Sequence, residues 1–197
     1  MGSDFAQHIT REEIDLLPLK TFEGDLVVVD SSEKIQKALD YLKKQQILGF
    51  DTETKPSFKK GQKNVVAMLQ LSSKNKAFVF RLNKIGFPVG LAKILANPQI
   101  TKVGADIKQD LSALQKITPF IPAGFIDIQK FSNDYGITDN GLKKLAAIIL
   151  GFKISKAQRL TNWEAPELTH SQLLYAATDA WICYIMYKKL QRSEHAS

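Results

Sequence analysis

Asp51-Thr52-Glu53 follows directly on the apolar run Ile47-Leu48-Gly49-Phe50. In an extended strand, residues two apart share a face, so the two carboxylates stand about 6–7 Å apart. Side by side they repel, and a fold tolerates that cost more readily when a cation lies between them. Read alone, the pair equally fits the charged, solvated end of a strand. Two further acids extend the pattern. Asp110 lies within Asp106-Ile-Lys-Gln-Asp110-Leu-Ser-Ala-Leu114, and Asp179 closes Tyr175-Ala-Ala-Thr-Asp179. The four-residue spacing puts Tyr175 and Asp179 on one helical face, within reach of a common site. The helix around Asp179 is dense in Leu, Ala, Ile, Trp and Tyr, so this acid needs a partner, either a nearby lysine or a divalent metal. Asp106 lies one turn before Asp110 and could be mistaken for it.

These residues must be held by a mixed fold. Leu26–Val29, Ile47–Asp51, Val65–Leu71 and Ala77–Phe80 read as strands, the last two joined by the polar turn Ser72-Ser73-Lys74-Asn75-Lys76. Ser31 or Ser32 can cap a helix reaching about Gln45. The second half alternates: a helix at 90–96, a strand at 101–104, a helix at 106–116 and a short strand at 124–128. Asn140 can cap a helix over 141–150, with Gly151 at its left-handed end. Thr169 and Gln172 form a capping box for the last helix, where Lys188, Lys189 and Arg192 suit the negative end of the dipole. The pattern predicts an α/β domain over residues 25–192, a mixed sheet flanked by helices. An irregular arm, 1–24, precedes it and a short tail, 193–197, follows.

Composition sets the class. At 197 residues, with 44% hydrophobic and 24% charged content, the chain suits one domain with a real core. Apolar stretches fall short of the roughly 20 residues of a bilayer span. No secretory leader pattern is present, and the lone Cys183 can form no internal disulfide. A soluble cytoplasmic protein with no membrane association is expected. The charge is uneven. Residues 1–33 hold eight acids against Arg11 and Lys20, a balance of −6, so with +7 overall residues 34–197 carry +13. Lys55, Lys59, Lys60 and Lys63 follow the acidic pair, and Lys143, Lys144, Lys153, Lys156 and Arg159 occupy a stretch without acids. Such a field attracts a polyanion, nucleic acid above all.

Taken together, Asp51-Thr-Glu53, Gly104-Ala-Asp-Ile-Lys-Gln-Asp110-Leu-Ser-Ala-Leu114 and Tyr175-Ala-Ala-Thr-Asp179-Ala resemble, in order and spacing, the three motifs of the DEDD 3′–5′ exonucleases. Tyr175 matches the tyrosine-containing branch, DEDDy. Gly49-Phe-Asp-Thr-Glu-Thr-Lys-Pro-Ser-Phe58, the Leu69-Gln70-Leu71 strand and Asn162-Trp163 before Pro166-Glu-Leu-Thr169 are similar to Werner-type exonuclease domains and their ribonuclease D relatives. The likeness spans roughly residues 25–192. It implies a ribonuclease-H-like fold and phosphodiester hydrolysis at single-stranded or recessed 3′ ends of DNA or RNA. Asp51 would bridge two divalent ions, Glu53 and Asp179 would complete the first, and Asp110 would hold the second. Tyr175 would orient the attacking water. Four oxygen donors without a Cys or His cluster suit Mg²⁺ or Mn²⁺ rather than zinc. Lys55, Lys59 and Lys60 are candidates for phosphate contacts, and Phe58 and Trp163 for stacking on an unpaired base. Trp163 also suits a packing role between its loop and the last helix. Two alternatives remain at this level: ribonuclease D-like trimming of RNA, or a non-catalytic nucleic-acid-binding module on the same fold.

Overall fold

The strand bearing the first two acids forms the middle of the sheet because its non-polar residues serve two layers at once. A computed structural model describes residues 5–56 and 65–194. Six strands, β1 (Asp25–Val29), β2 (Ile47–Thr54), β3 (Val66–Ser72), β4 (Lys76–Arg81), β5 (Thr101–Gly104) and β6 (Phe125–Asp127), make one sheet in the order β1-β4-β3-β2-β5-β6. β3 runs antiparallel to both β2 and β4, while the β1/β4, β2/β5 and β5/β6 pairs are parallel. Leu48 and Phe50 enter one face with Leu69, Leu71, Phe78 and Phe80. Helices α2 (Ser32–Leu42), α4 (Val89–Leu95) and α5 (Ile107–Ile117) cover that face with Leu39, Leu42, Leu91, Leu95 and Leu114. The short helix α3 (Leu82–Ile85) follows β4, and α6 (Ile128–Phe131) with a 3₁₀ turn (Ser132–Tyr135) follows β6.

The other face belongs to α7 (Leu142–Leu150) and the 25-residue α8 (His170–Glu194). The Thr169–Gln172 capping box opens α8: the Thr169 amide donates to Gln172 Oε1 at 3.0 Å, and the Gln172 amide donates to Thr169 Oγ1 at 3.2 Å. Gln172 Nε2 also donates to Thr161 Oγ1 at 3.0 Å, which ties the preceding loop to the start of the helix. Small residues let α8 lie close to the sheet. Ala176, Ala177 and Ala180 are fully buried, and a Cβ on Gly49 would overlap the Ala180 carbonyl and stand 3.2 Å from Tyr184 Cβ.

Several local expectations change. β2 continues past Asp51 to Thr54, because β3 pairs with it that far before a register shift at Glu53/Thr54. The cap of α7 is Gly141, at φ 90°, rather than Asn140. Its amide donates to Gln129 Oε1 at 2.9 Å, so a side chain from α6 satisfies it. Gly151 does take the left-handed end, at φ 74°. The arm holds a six-residue helix, α1 (Arg11–Leu16), with its own Thr10/Glu13 capping box. It is pinned to the domain by Ile9 N–H on Asp139 Oδ2 (2.8 Å) and by Lys20 N–H on the Lys153 carbonyl (2.9 Å). Among the described residues no helix is long and apolar enough to cross a membrane.

Seating α8 on Gly49 yields a stability prediction. Gly49→Ala forces the helix and β2 apart, an overpacking cost of about 1–3 kcal/mol or more. That amounts to a drop of several degrees in melting temperature for a chain of this size. A thermal melt by circular dichroism checks it, and an unchanged midpoint would show that α8 is not held at this distance.

Candidate active site

Alternation along β2 turns Asp51 and Glu53 toward α8 and Thr52 toward α5. Tyr175 and Asp179 come down from α8, one turn apart. One oxygen each of Asp51, Glu53 and Asp179 lies within 4.8 Å of the others. Asp110, in the first turn of α5, approaches from the opposite layer and is held apart from this trio by Thr52, whose hydroxyl donates to Asp110 Oδ1 at 2.6 Å. Asp106 is instead the N-cap of α5, in the left-handed conformation at φ 53°. The structure therefore gathers Asp51, Glu53, Tyr175 and Asp179 directly, with Asp110 beside them.

Burial of so many acids shifts their protonation. Desolvation, then the charges of Asp179, Glu53 and Asp110, raise Asp51 well above the usual carboxylate range. Burial and Asp179 push Glu53 up to about 8. Burial raises Asp110 to about 6, opposed by the Thr52 hydrogen bond. Tyr175 is raised further from its ordinary value by burial and by the three carboxylates of Asp179, Glu53 and Asp51, so its phenol stays neutral at physiological pH. Cys183, one turn beyond Asp179, is a buried thiol whose Sγ–H points to the Asp179 carbonyl at 3.4 Å.

A lysine is the local counter-ion. Lys156 Nζ stands 2.6 Å from Asp179 Oδ2 and 5.3 Å from the centre of the Tyr175 ring. The lysine foreseen as one possible partner of Asp179 is thus present. It leaves the second oxygen, Asp179 Oδ1, buried with no well-formed hydrogen bond, although the Tyr175 hydroxyl one turn away interacts with this carboxylate. A buried carboxylate oxygen without a well-formed hydrogen bond, next to two further acids and one cation, leaves the trio under-neutralised. The donor set is oxygen only. Both observations fit a divalent cation at Asp51, Glu53 and Asp179. Around the acids opens a groove of about 490 Å³ whose wall carries Lys143, Lys144, Lys156 and Arg159.

The remaining candidates divide. Lys55 forms an ion pair with Glu164 at 3.2 Å, tying the end of β2 to the loop before α8. Phe58, Lys59, Lys60 and Lys63 lie outside the described residues. Trp163 needs correcting as a stacking platform. It is fully buried among Ala67, Met68, Val79 and Ala176, its ring 5.8 Å from that of Tyr175. No face is left for a base, and the indole backs the tyrosine instead. Reading from the sequence missed Thr52 as the tether of Asp110 and the specific pairing of Lys156 with Asp179. The even position between two acids was a signal for the first, because alternation sends it to the other layer.

Comparison with known proteins agrees with this geometry. Residues 26–193 match the family described as 3′–5′ exonuclease. The chain is 32% identical over 186 residues to the mouse (Mus musculus) bifunctional 3′–5′ exonuclease/ATP-dependent helicase WRN, covering 89% of this chain and 13% of that protein. It is 34% identical over 151 residues to exonuclease 3′–5′ domain-containing protein 2 of Drosophila melanogaster, covering 75% of this chain and 26% of the relative. Among solved structures, the Aedes aegypti Nibbler EXO domain superposes with a TM-score of 0.82 at 23% identity, covering 90% of this chain and 93% of that one. Escherichia coli RNase D superposes with a TM-score of 0.78 at 21% identity, over 87% and 46% of the two chains. These likenesses show the ribonuclease-H-like fold. The chain spans 13%, 46% and 27% of the length of the first three curated relatives, so what it shares with them is one domain. With the family matched across nearly its whole length, this chain belongs to the 3′–5′ exonuclease family.

Proposed function

We propose that the chain hydrolyses phosphodiester bonds at nucleic-acid 3′ ends, releasing nucleoside 5′-monophosphates, with two divalent ions, Mg²⁺ or Mn²⁺. One observation carries the reading: three acids whose oxygens lie within 4.8 Å of one another, at the foot of a groove walled by cations. Divalent ions bound there supply an activated water and stabilise the leaving 3′ oxygen. Asp51, at the centre of the acids, would ligate both; Glu53 and Asp179 would complete one site and Asp110 the other. Water attacks the phosphorus, the bond to the 3′ oxygen of the preceding nucleotide breaks, and that oxygen takes up a proton. The Tyr175 phenol stays protonated at physiological pH, so no phenolate is available as a full base and its hydroxyl serves to orient the water. Trp163 holds the phenol in place from behind. Lys156, on the groove wall with Lys143, Lys144 and Arg159, would be available to a phosphate if a cation took its place at Asp179. Such contacts position a strand without reading its sequence. Lys55, with Lys59 and Lys60 in the segment after it, would extend them. All five chemical groups are present, which disfavours a purely binding role.

Matched digestion of DNA and RNA strands, labelled at the 5′ or 3′ end, tests the reading and identifies the polymer. Shortening from the 3′ end with Mg²⁺ or Mn²⁺, abolished by EDTA, is expected. Binding without metal-dependent shortening would return the non-catalytic alternative. Asp51→Asn should lower kcat by roughly 10²–10³-fold or more. Its melting temperature should not fall, because a neutral amide replaces a buried acid that its surroundings disfavour in the charged form. Tyr175→Phe should lower kcat about 10²-fold with metal affinity little changed. Unchanged turnover would remove the phenol from the mechanism.

The raised acids also set a pH dependence. Glu53, with a folded value of about 8 against an ordinary 4.5, holds a proton that the unfolded chain has already lost. Its contribution to stability is therefore present below its ordinary value and is lost as pH rises toward about 8. Asp110, at about 6, adds to the lower part of the window. Metal-free protein should melt at progressively lower temperature from about pH 5 to pH 8. Mn²⁺ should raise the midpoint more at the alkaline end, where ligation displaces fewer protons. A flat profile with and without metal would contradict this account of the acids.

A further inference from the structure

We propose that Gln70 is a positioning residue whose side-chain amide fixes the orientation of the Asp51 carboxylate for metal binding. The inference rests on the metal reading above. Gln70 lies in β3 directly opposite Asp51 in the antiparallel register. Directly opposed residues share a face and bring their Cβ atoms within about 4.5–5.5 Å, so the carboxylate is within range of a rotation of the glutamine amide or of one bridging water. Gln70 is fully buried, and neither Nε2 nor Oε1 has a hydrogen-bond partner among the described residues.

Packing gives no reason for an amide here. On the same face the neighbours along β3 are the buried Met68 and Ser72, and across β4 stands the buried Val79. A methionine or leucine would fill this place without the desolvation cost of an unpaired amide. The acids of the site already show the pattern that Gln70 would complete. Asp110 is tethered by Thr52 and Asp179 by Lys156, each at 2.6 Å and each from a different element. For Asp51 the cross-strand amide would be the corresponding donor once a cation is bound. One N–H on a carboxylate oxygen favours the charged form, holds its plane and leaves lone pairs for cations.

The test uses the full chain with Gln70→Met and Gln70→Leu, Mn²⁺ alone as titrant, and thermal melts. Both variants should melt, metal-free, at or above the wild-type temperature, since they remove buried unpaired groups. Both should bind Mn²⁺ about 10–100-fold more weakly. On a labelled strand, kcat should fall while KM stays within about twofold. Stability and metal affinity thus move in opposite directions, which a merely structural glutamine would not produce. Mn²⁺ affinity within twofold of wild type in either folded variant overturns the proposal. So does failure of both variants to fold, which would make the amide structural. Absence of Mn²⁺ binding by the wild type would instead overturn the metal reading on which the proposal stands.

Discussion

The close seating of α8 on β2 is the constraint on which the site depends. Two acids project from a strand and the third from a helix, so their separation is an interlayer distance. Helix and sheet ordinarily keep apart by the bulk of the side chains between them. Here that bulk is missing: Gly49 offers no Cβ and Ala176, Ala177 and Ala180 offer little more. The helix therefore settles low enough for an Asp179 oxygen to come within 4.8 Å of those of Asp51 and Glu53. Its rotation is set at the start by the Thr169–Gln172 box, and the loop before it is drawn in by Gln172 on Thr161. The same loop carries Lys156, Arg159 and Trp163, so closure of one helix end positions counter-ion, groove wall and tyrosine support together.

Bringing these acids together works against stability, and the protein offsets the cost only in part. Lys156 neutralises one oxygen of Asp179 and leaves the other without a well-formed hydrogen bond. Thr52 opposes the upward shift of Asp110 but does not cancel it. The rest of the repulsion raises the acids' affinity for protons, which a bound cation would displace. Trp163 fits the same logic. Its burial against Tyr175 covers one side of the ring, so burial and the nearby carboxylates together keep the phenol neutral.

Features that depend on neighbours in sequence were legible without coordinates. Asp51 and Glu53 on one strand face, Tyr175 with Asp179 on one helical face, the Thr169 box and the left-handed Gly151 all follow from periods of two or four residues. Partnerships between distant segments were not. Asn140 is a good cap by type, yet Gln129 from another helix supplies the bond and Gly141 takes the position. Trp163 is an aromatic residue in a polar loop, and nothing local tells whether its loop folds inward. The tether of Asp110 by Thr52 and the pairing of Asp51 with Gln70 exist only once the α5 layer and the β3 register are known. Lys156 was visible as charge, but its choice of Asp179 is set by the path of the loop after α7.

The remaining tension is between an acidic floor and a polyanionic substrate. A phosphodiester approaching Asp51, Glu53 and Asp179 meets like charge, which bound cations reverse locally but not along the rest of the strand. The wall does that work over a longer range. Lys143 and Lys144 stand at the start of α7, and Lys156 and Arg159 follow in the loop leading to α8. Lys143 and Lys144 are themselves ion-paired, to Asp15 at 3.8 Å and Asp139 at 2.6 Å. Asp15 belongs to α1, in the acidic first 33 residues, so the arm screens part of the wall. A polyanion of the kind proposed would have to compete with Asp15 for Lys143. Between exposed charges such effects are screened beyond a Debye length of about 8–10 Å at physiological salt, so the arm acts on the wall it touches rather than on the acids behind it. Lys156 and Arg159 act directly on the acids, Lys156 by pairing with Asp179 and both through their charge on Glu53, so this inner part of the wall is set by the site itself rather than by the arm.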